Sequence, residues 1–330
     1  MSKTPNQTTK TTTAKAVTPK EIKENLILPN SKVTVTLAWS QVEPAYNQVL
    51  QKAAQNVKAD GFRIGKVPPQ VAEKLINKEA LYEEVVQRVL PQAYSKALQD
   101  QKKLPISRPE VDPVKMEKGE DWVFDVFFAE MQPVELGKYE DTVKKALLAA
   151  QKELKEKTDE LKKTAESKKD EKEEPGHEGH HHETPKELTV DQQEDIKLKH
   201  IFRSLVETVK PKVQEILIHA EVNRELQRLL DQLRQLNLKV EDYLRSRQIT
   251  GEQLQQEYAG TALTSLQIEF ILAEIAKAQK ITVEDKEVND MLDKIGGGKL
   301  TEAQKQDSEY RSYLFSTLLK QKVVKHLISL

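Results

Sequence analysis

The sequence predicts an α+β amino-terminal domain, a long charged helical linker and an all-α carboxy-terminal domain. Three observations lead to this fold class. Residues 31–38 and 122–128 alternate between apolar and polar or acidic positions, as half-buried strands do. Seventeen of the 24 residues from 151 to 174 are charged, and the apolar residues after 190 recur only at helical spacing. The expected boundaries are 1–19 for a disordered tail, 20–135 for the α+β domain, 136–189 for the charged helix with a His-rich linker, and 190–330 for the helical domain.

The composition restricts the classes of partner and compartment. The chain has 330 residues, a formal net charge of −1, 32% charged and 5% aromatic residues, which is typical of long solvated helices. A near-neutral chain has no general attraction to DNA, so any contact with RNA requires a local basic patch. The absence of cysteine rules out disulfides and thiolate metal sites. Residues 1–18 contain no apolar run, and no continuous apolar stretch is long enough for a membrane span, so we expect a cytoplasmic protein with no membrane partner and no cofactor.

The first predicted domain contains short strands and three helices. Two strands, 22–28 and 31–38, are predicted to be joined at Pro29-Asn30, and strand 122–128 is predicted to lie at the centre of the sheet. Ser40 is predicted to cap the first helix. The helices expected after it are 70–76 and 78–101, with Pro91 as a possible kink in the longer one.

A distinctive loop separates the first two of these helices. Gly61 and Gly65 lie four residues apart, and each can adopt a positive φ at little steric cost. Phe62 and Arg63 lie between them, Lys66 follows, and two prolines suit the first turn of a new helix. One interpretation is a compact tip that presents Phe62, Arg63 and Lys66 outward; the other is an ordinary turn with Phe62 in the core. The glycine spacing does not match a dinucleotide-binding fingerprint.

The segment after the α+β domain is a charged helix followed by a His-rich stretch. Leu147, Leu154 and Leu161 recur every seven residues, which predicts one narrow apolar stripe on an extended helix or loose coiled coil. Four histidines then fall within six positions, between glycines and prolines and without any cysteine. We therefore expect a linker with no specific metal site at His177, His180, His181 and His182.

The remainder of the chain reads as helices: 196–209, 211–237, 240–247, 250–280, 283–295 and 308–330. Thr250 is predicted to cap the fourth of these, and Thr282 with Asp285 to form a capping box for the fifth. Histidines in this part occur singly, and no nucleophile, base and acid can be grouped convincingly. We therefore predict no catalytic residues.

Two stretches resemble a known family. Residues 61–68, Gly-Phe-Arg-Ile-Gly-Lys-Val-Pro, resemble the ribosome-docking signature of bacterial trigger factor, with Ile64 at a position that varies in the family. Residues 205–226 and 269–276 resemble parts of that family's substrate-binding domain. The resemblance implies an ATP-independent chaperone that docks near the nascent-chain exit, contacts ribosomal proteins and RNA, and holds unfolded or nascent polypeptides. It implies a ribosome-binding site at Gly61, Phe62, Arg63, Ile64, Gly65 and Lys66.

The resemblance breaks in the middle of the chain. Most family members carry a prolyl isomerase domain of the FK506-binding type there, with a pocket lined by aromatic side chains. Here no Phe, Trp or Tyr occurs between Tyr139 and Phe202, so we expect no isomerase domain and no enzymatic activity. The alternatives are a trigger factor that retains isomerase activity, a non-ribosomal helical holdase such as a periplasmic survival-type chaperone, and a coiled-coil scaffold. The lack of a signal-like segment argues against a periplasmic chaperone, and the glycine loop argues against a scaffold.

Overall fold

The computed structural model describes residues 26–63, 65–167, 188–296 and 306–330. The predicted tail at 1–19, Ile64 and the four linker histidines lie outside the described residues. The strands are β1 (Ile27–Leu28), β2 (Ser31–Leu37), β3 (Glu110–Lys115), β4 (Trp122–Phe128) and β5 (Val213–Gln214). The helices are α1 (Trp39–Ala54), α2 (Pro69–Ala72), α3 (Lys78–Asp100), α4 (Tyr139–Ser167), α5 (Val190–Val209), α6 (Glu215–Gln235), α7 (Val240–Arg247), α8 (Gly251–Ala278), α9 (Asp285–Gly296) and α10 (Ser308–Ile328).

The amino-terminal half forms an antiparallel sheet with strand order β2-β4-β3. The sequence placed β4 at the centre, and the structure confirms it. Every second residue of β4 is buried, because α1 and α3 pack over the face from which these side chains project. The resulting core, which we call the sheet unit, contains Val33, Val35, Leu37, Val42, Tyr46, Val49, Leu50, Leu81, Tyr82, Val85, Leu90, Trp122, Phe124, Val126 and Phe128.

The two strands predicted at 22–28 and 31–38 do not form a hairpin in the described residues. β1 instead pairs in parallel with β5, with Ile27 opposite Val213, and the Val213 N–H donates to the Leu26 carbonyl at 2.9 Å. Asn30, which lies between the two predicted strands, contacts the carboxy-terminal half instead. Its side chain accepts a hydrogen bond from the Ile216 N–H at 2.8 Å. Asn30 thereby satisfies a free donor at the start of α6.

The Gln214 side chain completes the connection between the two halves of the chain. It is buried, accepts the Glu130 N–H at 2.6 Å, and donates to the Pro29 carbonyl at 3.2 Å and to Ser31 Oγ at 3.1 Å. We call this group of hydrogen bonds the Gln214 junction. Its partners Glu130, Pro29 and Ser31 lie between 84 and 185 residues away in sequence, so no local sequence pattern predicts these hydrogen bonds.

Three predicted helix caps have different outcomes. Thr250 is confirmed, because it forms a reciprocal capping box with Gln253. Ser40 is wrong: α1 begins at Trp39, and the side chain of Asp121 accepts the Trp39 N–H at 2.8 Å. The box of Thr282 with Asp285 is also wrong, because α9 begins at Asp285 and the Glu287 carboxylate accepts the Glu284 N–H at 2.9 Å.

The charged helix α4 is not isolated from the rest of the fold. Its first three turns carry Tyr139, Val143, Ala146 and Ala150 on a buried side. The first three of these share one cluster, here called the helical core, with side chains of α5, α8 and α10: Ile201, Leu205, Ile271, Leu272, Ile275, Ala276, Val323 and Leu327. The sequence predicted a narrow leucine stripe; Leu147 of that stripe packs against the helical core, but it is only partly buried, whereas Tyr139, Val143, Ala146 and Ala150 are buried.

Helix α8 is the central element of the carboxy-terminal half. Its buried residues contribute both to the helical core and to a second cluster with β5 and α6. Among the described residues it is the one helix whose length and composition would suit a membrane span, with a mean hydropathy of 1.2 over its most apolar 18 residues. Half of that window is buried inside the fold, so core packing accounts for its apolar character.

Candidate functional site

The glycine loop joins α1 to α2 and folds as two successive tight turns. Gly61 and Gly65 both have φ of 82°, as their spacing predicted. The Phe62 N–H donates to the Ala59 carbonyl at 3.1 Å, and the Lys66 N–H donates to the Arg63 carbonyl at 2.9 Å. A side chain at either glycine would have to adopt the left-handed region, which costs other residues about 1 kcal/mol or more. We call residues 61–66 the tip loop.

The tip loop presents its characteristic side chains to solvent. Phe62 is 43% exposed, and Arg63 and Lys66 are also exposed. The interpretation with Phe62 in the core is therefore wrong. An exposed phenylalanine next to two cations is a combination that suits contact with a partner surface, because it joins apolar burial to charge attraction.

A small apolar cluster holds the base of the tip loop. It consists of three buried residues that form one cluster: Ala54 at the end of α1, Val67 just after the loop, and Ala72 in α2. Pro69 is the first residue of α2, the position that its fixed φ favours. We call Ala54, Val67 and Ala72 the tip anchor.

A polar group links the end of α2 to the sheet unit. Tyr46 of α1 donates its hydroxyl hydrogen to Glu73 Oε1 at 2.6 Å, and Lys118 Nζ lies 2.6 and 2.8 Å from the two Glu73 oxygens. The Lys118 ammonium also lies 5.3 Å from the centre of the Tyr46 ring, within range of a cation–π contact. We call Tyr46, Glu73 and Lys118 the Glu73 clamp. Sequence reasoning missed it, because Tyr46 reads as a core residue and Lys118 lies 45 positions from Glu73.

The titration behaviour of the clamp follows from these contacts. Hydrogen bonds from Lys118 and then from Tyr46 hold the pKa of Glu73 below its usual value. Burial, and then the hydrogen bond to Glu73, raises the pKa of Tyr46. At neutral pH the clamp therefore consists of an ionised carboxylate and a protonated phenol.

The helical half carries a second set of exposed apolar side chains. Leu236 and Leu238 lie at the carboxyl end of α6, on either side of Asn237, whose φ is 52°. Tyr313 and Phe315 are exposed on α10. A cavity of about 510 Å³ lies between α6, α8 and β3 and is lined by Glu110, His219, Val222, Asn223, Glu252, Gln255, Gln256 and Ala259.

Two of the single histidines of this half lie next to a single carboxylate each. His200 Nε2 lies 2.7 Å from a carboxylate oxygen of Glu153 on α4, and His219 lies 3.6 Å from Glu215 one turn away. Across the parts of the chain that the structure describes, no three His, Asp or Glu side chains are grouped closely enough to hold a metal ion.

Comparison with known proteins gives matches over both halves. A family model of bacterial trigger factor protein matches residues 17–166, and a model of the trigger factor carboxy-terminal part matches residues 182–329. The trigger factor of Staphylococcus epidermidis is 36% identical over 107 residues, which is 32% of this chain and 25% of that protein. The trigger factor of Streptococcus mutans is 34% identical over 118 residues, 36% of this chain and 28% of that protein. The matched stretches thus span about a quarter of the length of these relatives.

A solved structure supports the same fold. The structure reported as "Promiscuous Substrate Recognition in Folding and Assembly Activities of the Trigger Factor Chaperone" superposes with a TM-score of 0.52 and 14% identity, over 90% of this chain and 96% of that one. At this identity the likeness shows a shared fold. Because two models of one family together match nearly the whole chain in the expected order, the chain belongs to the bacterial trigger factor family.

Proposed function

We propose that this protein is a cytoplasmic, ATP-independent chaperone that docks on the ribosome near the nascent-chain exit and holds emerging polypeptides while they fold. The observation that carries the proposal is the tip loop, in which the family's docking signature occupies an exposed position above a buried anchor. Arg63 and Lys66 would contact ribosomal RNA phosphate or acidic side chains of ribosomal proteins. Phe62 would insert into an apolar notch of the docking surface.

Polypeptide holding is assigned to the exposed apolar residues of the helical half. Leu236, Leu238, Tyr313 and Phe315 are large side chains that leave apolar surface open to water. Contacts of this kind are individually weak and lack directional requirements, so they accommodate many different sequences and release them without nucleotide hydrolysis.

We also propose that the protein is not a prolyl isomerase. The two family matches leave residues 167–181 between them, too few for a curved sheet around a ligand pocket. The residues before this gap form α4, whose apolar side faces the helical core. An isomerase of the expected type needs a shaped apolar pocket for the proline ring, and a solvated Lys- and Glu-rich helix offers none.

The docking proposal is tested by co-sedimentation with purified ribosomes. Replacing Phe62, Arg63 and Ile64 together with alanine should abolish binding and leave helicity by circular dichroism intact. The matched control is Lys74→Ala with Leu75→Ala, which removes one exposed cation and one exposed apolar side chain just after α2 and should bind as the unmodified protein does. Unchanged sedimentation of the triple variant would contradict the docking assignment.

The proposal about catalysis is tested in a proline-limited refolding assay. Uncatalysed isomerisation takes on the order of tens of seconds at room temperature, so even modest catalysis is measurable. The protein should suppress aggregation of an unfolded client at stoichiometric amounts without accelerating the slow phase. A faster slow phase at substoichiometric protein would favour the alternative, a trigger factor that retains isomerase activity. Suppression of aggregation without any ribosome binding would favour a non-ribosomal holdase.

A further inference from the structure

The orientation of the tip loop depends on very few contacts with the sheet unit. The loop and its flanks run from residue 55, after α1, to residue 76, before α3. In the described part of this segment, Glu73 is the residue whose side chain makes hydrogen bonds to the sheet unit. The other attachment is apolar: it consists of the tip anchor, whose buried members are two alanines and a valine, and of Ile76, which is partly buried against both the tip anchor and the core of the sheet unit.

These two attachments restrict the loop in different ways. Apolar contacts resist separation but have little directional preference, so the tip anchor holds the loop close without setting its tilt. Hydrogen bonds have preferred distances and angles, and Glu73 makes them to two separate elements. The carboxylate therefore fixes the end of α2 relative to both α1 and the turn between β3 and β4.

Both partners of Glu73 are themselves held by the core. Tyr46 is buried in the middle of α1, with its ring 5.6 Å from that of Trp39 and 6.0 Å from that of Tyr82. Lys118 follows Glu117, whose carbonyl accepts the indole N–H of the fully buried Trp122 at 2.9 Å. The clamp thus holds Glu73, which follows the tip loop and α2, in a fixed position relative to the sheet unit.

We propose that Glu73 is the positioning residue of the ribosome-docking loop: through Tyr46 and Lys118 it sets the orientation in which Phe62, Arg63 and Lys66 meet the ribosome. The inference rests on the proposed docking function. Glu73 is ionised at neutral pH and accepts from both partners, so the clamp is formed before the ribosome is encountered. A preformed orientation reduces the conformational freedom that binding has to remove.

The test separates a residue that orients the loop from one that contacts the ribosome. Glu73→Ala should weaken ribosome binding roughly fivefold, the effect of losing about 1 kcal/mol of pre-organisation at a partly exposed ion pair. The dependence of log affinity on log salt concentration should keep its slope, because the number of charge contacts to the ribosome is unchanged. Arg63→Ala or Lys66→Ala should each reduce that slope by about one if the partner is RNA phosphate.

Two further variants distinguish loss of the clamp from unfolding of the amino-terminal domain as the cause of weaker binding. Tyr46→Phe keeps the buried ring and removes one hydrogen bond, so it should give a smaller loss of affinity than Glu73→Ala. The exchange Glu73→Lys with Lys118→Glu restores an ion pair of reversed polarity and should recover binding that either single change loses. Glu84→Ala is the matched control, since Glu84 pairs with Lys52 and Arg88 elsewhere in the sheet unit at 3.3 and 2.8 Å.

The outcomes distinguish the two proposals. Wild-type affinity of Glu73→Ala, with Arg63→Ala and Lys66→Ala impaired, would overturn the positioning role and leave the docking function intact. A reduced salt slope for Glu73→Ala would also overturn it, because Glu73 would then influence the charge contacts directly. Unimpaired binding of all the loop variants would refute the docking function, and the positioning role with it.

Discussion

The Gln214 junction yields a quantitative prediction about how the two halves of the protein are joined. Gln214→Ala removes three hydrogen bonds, to the Glu130 N–H, the Pro29 carbonyl and Ser31 Oγ. The side chain is 3% exposed, so water cannot readily replace it in the native fold. At about 1 kcal/mol for each hydrogen bond, the free energy of unfolding should fall by about 3 kcal/mol.

The loss should be visible as a change in cooperativity as well as in stability. Of the two tryptophans of the chain, Trp122 belongs to the sheet unit and Trp39 packs against it, so their fluorescence reports its unfolding. Far-ultraviolet circular dichroism is dominated by the helices of the carboxy-terminal half. In urea, the fluorescence and dichroism transitions of Gln214→Ala should separate by more than those of the unmodified protein, because the variant loses contacts that couple the two halves.

The control for this experiment is an exposed glutamine in a helix. Gln256→Ala on α8 should change the free energy of unfolding by less than about 0.5 kcal/mol, since its side chain is exposed. If Gln214→Ala behaved like this control, with equally coincident transitions, the reasoning about the junction would be refuted. The two halves would then be held by β1 pairing with β5, by the hydrogen bond from the Ile216 N–H to Asn30 and by apolar packing.

Three other predictions concern individual groups. Hydrogen bonds from Lys157 and His200 lower the pKa of Glu153 from its ordinary 4.5 to about 2, so its contribution to stability should be complete above pH 4.5 and be lost as the pH falls through 2. Glu153→Gln should therefore lose less stability than the unmodified protein in acid melts between those pH values. Asn77 accepts the N–H groups of Glu79 and Ala80 at 2.9 and 3.2 Å, so Asn77→Ala should cost about 1 kcal/mol in urea unfolding, and a loss near zero would contradict the capping role. Replacing the four linker histidines with serine should leave the melting temperature and suppression of aggregation unchanged, whereas a drop reversed by zinc would reveal a metal site at His177, His180, His181 and His182.

Local patterns were sufficient for the elements that depend on neighbouring residues. The alternation in β4 and the helical spacing of α3 predicted those elements and their buried sides. Gly61 and Gly65 predicted a loop with two positive φ angles, and the Thr250 capping box was visible as a Thr followed three residues later by Gln. Each of these features is decided within about four residues of chain.

Long-range pairing could not be predicted in the same way. β1 has two residues, and its pairing with β5 brings together positions nearly two hundred residues apart. The Glu73 clamp depends on a charge from the turn between β3 and β4, which no spacing rule connects to the tip loop. Helix α4 was predicted from its leucines as an extended helix or loose coiled coil with one narrow apolar stripe. The burial of Tyr139, Val143 and Ala146 in the helical core was not predicted, because it depends on α5, α8 and α10, which lie far away in sequence.

The two proposed surfaces are linked through the same residues that the sequence did not reveal. The tip loop is oriented on the sheet unit by Glu73, and the sheet unit is attached to the helical half by the Gln214 junction and by β1. Ser31 and Glu130 belong to that junction, and they flank the outer end of the sheet, where the Ser31 hydroxyl donates to the Glu130 carboxylate at 2.7 Å. A chaperone that docks with one surface and holds a polypeptide with another benefits from such a connection, because the holding surface then keeps a defined direction relative to the docking site. The polar character of the junction suits this role, since directional hydrogen bonds specify an arrangement that apolar packing alone would leave free to slide.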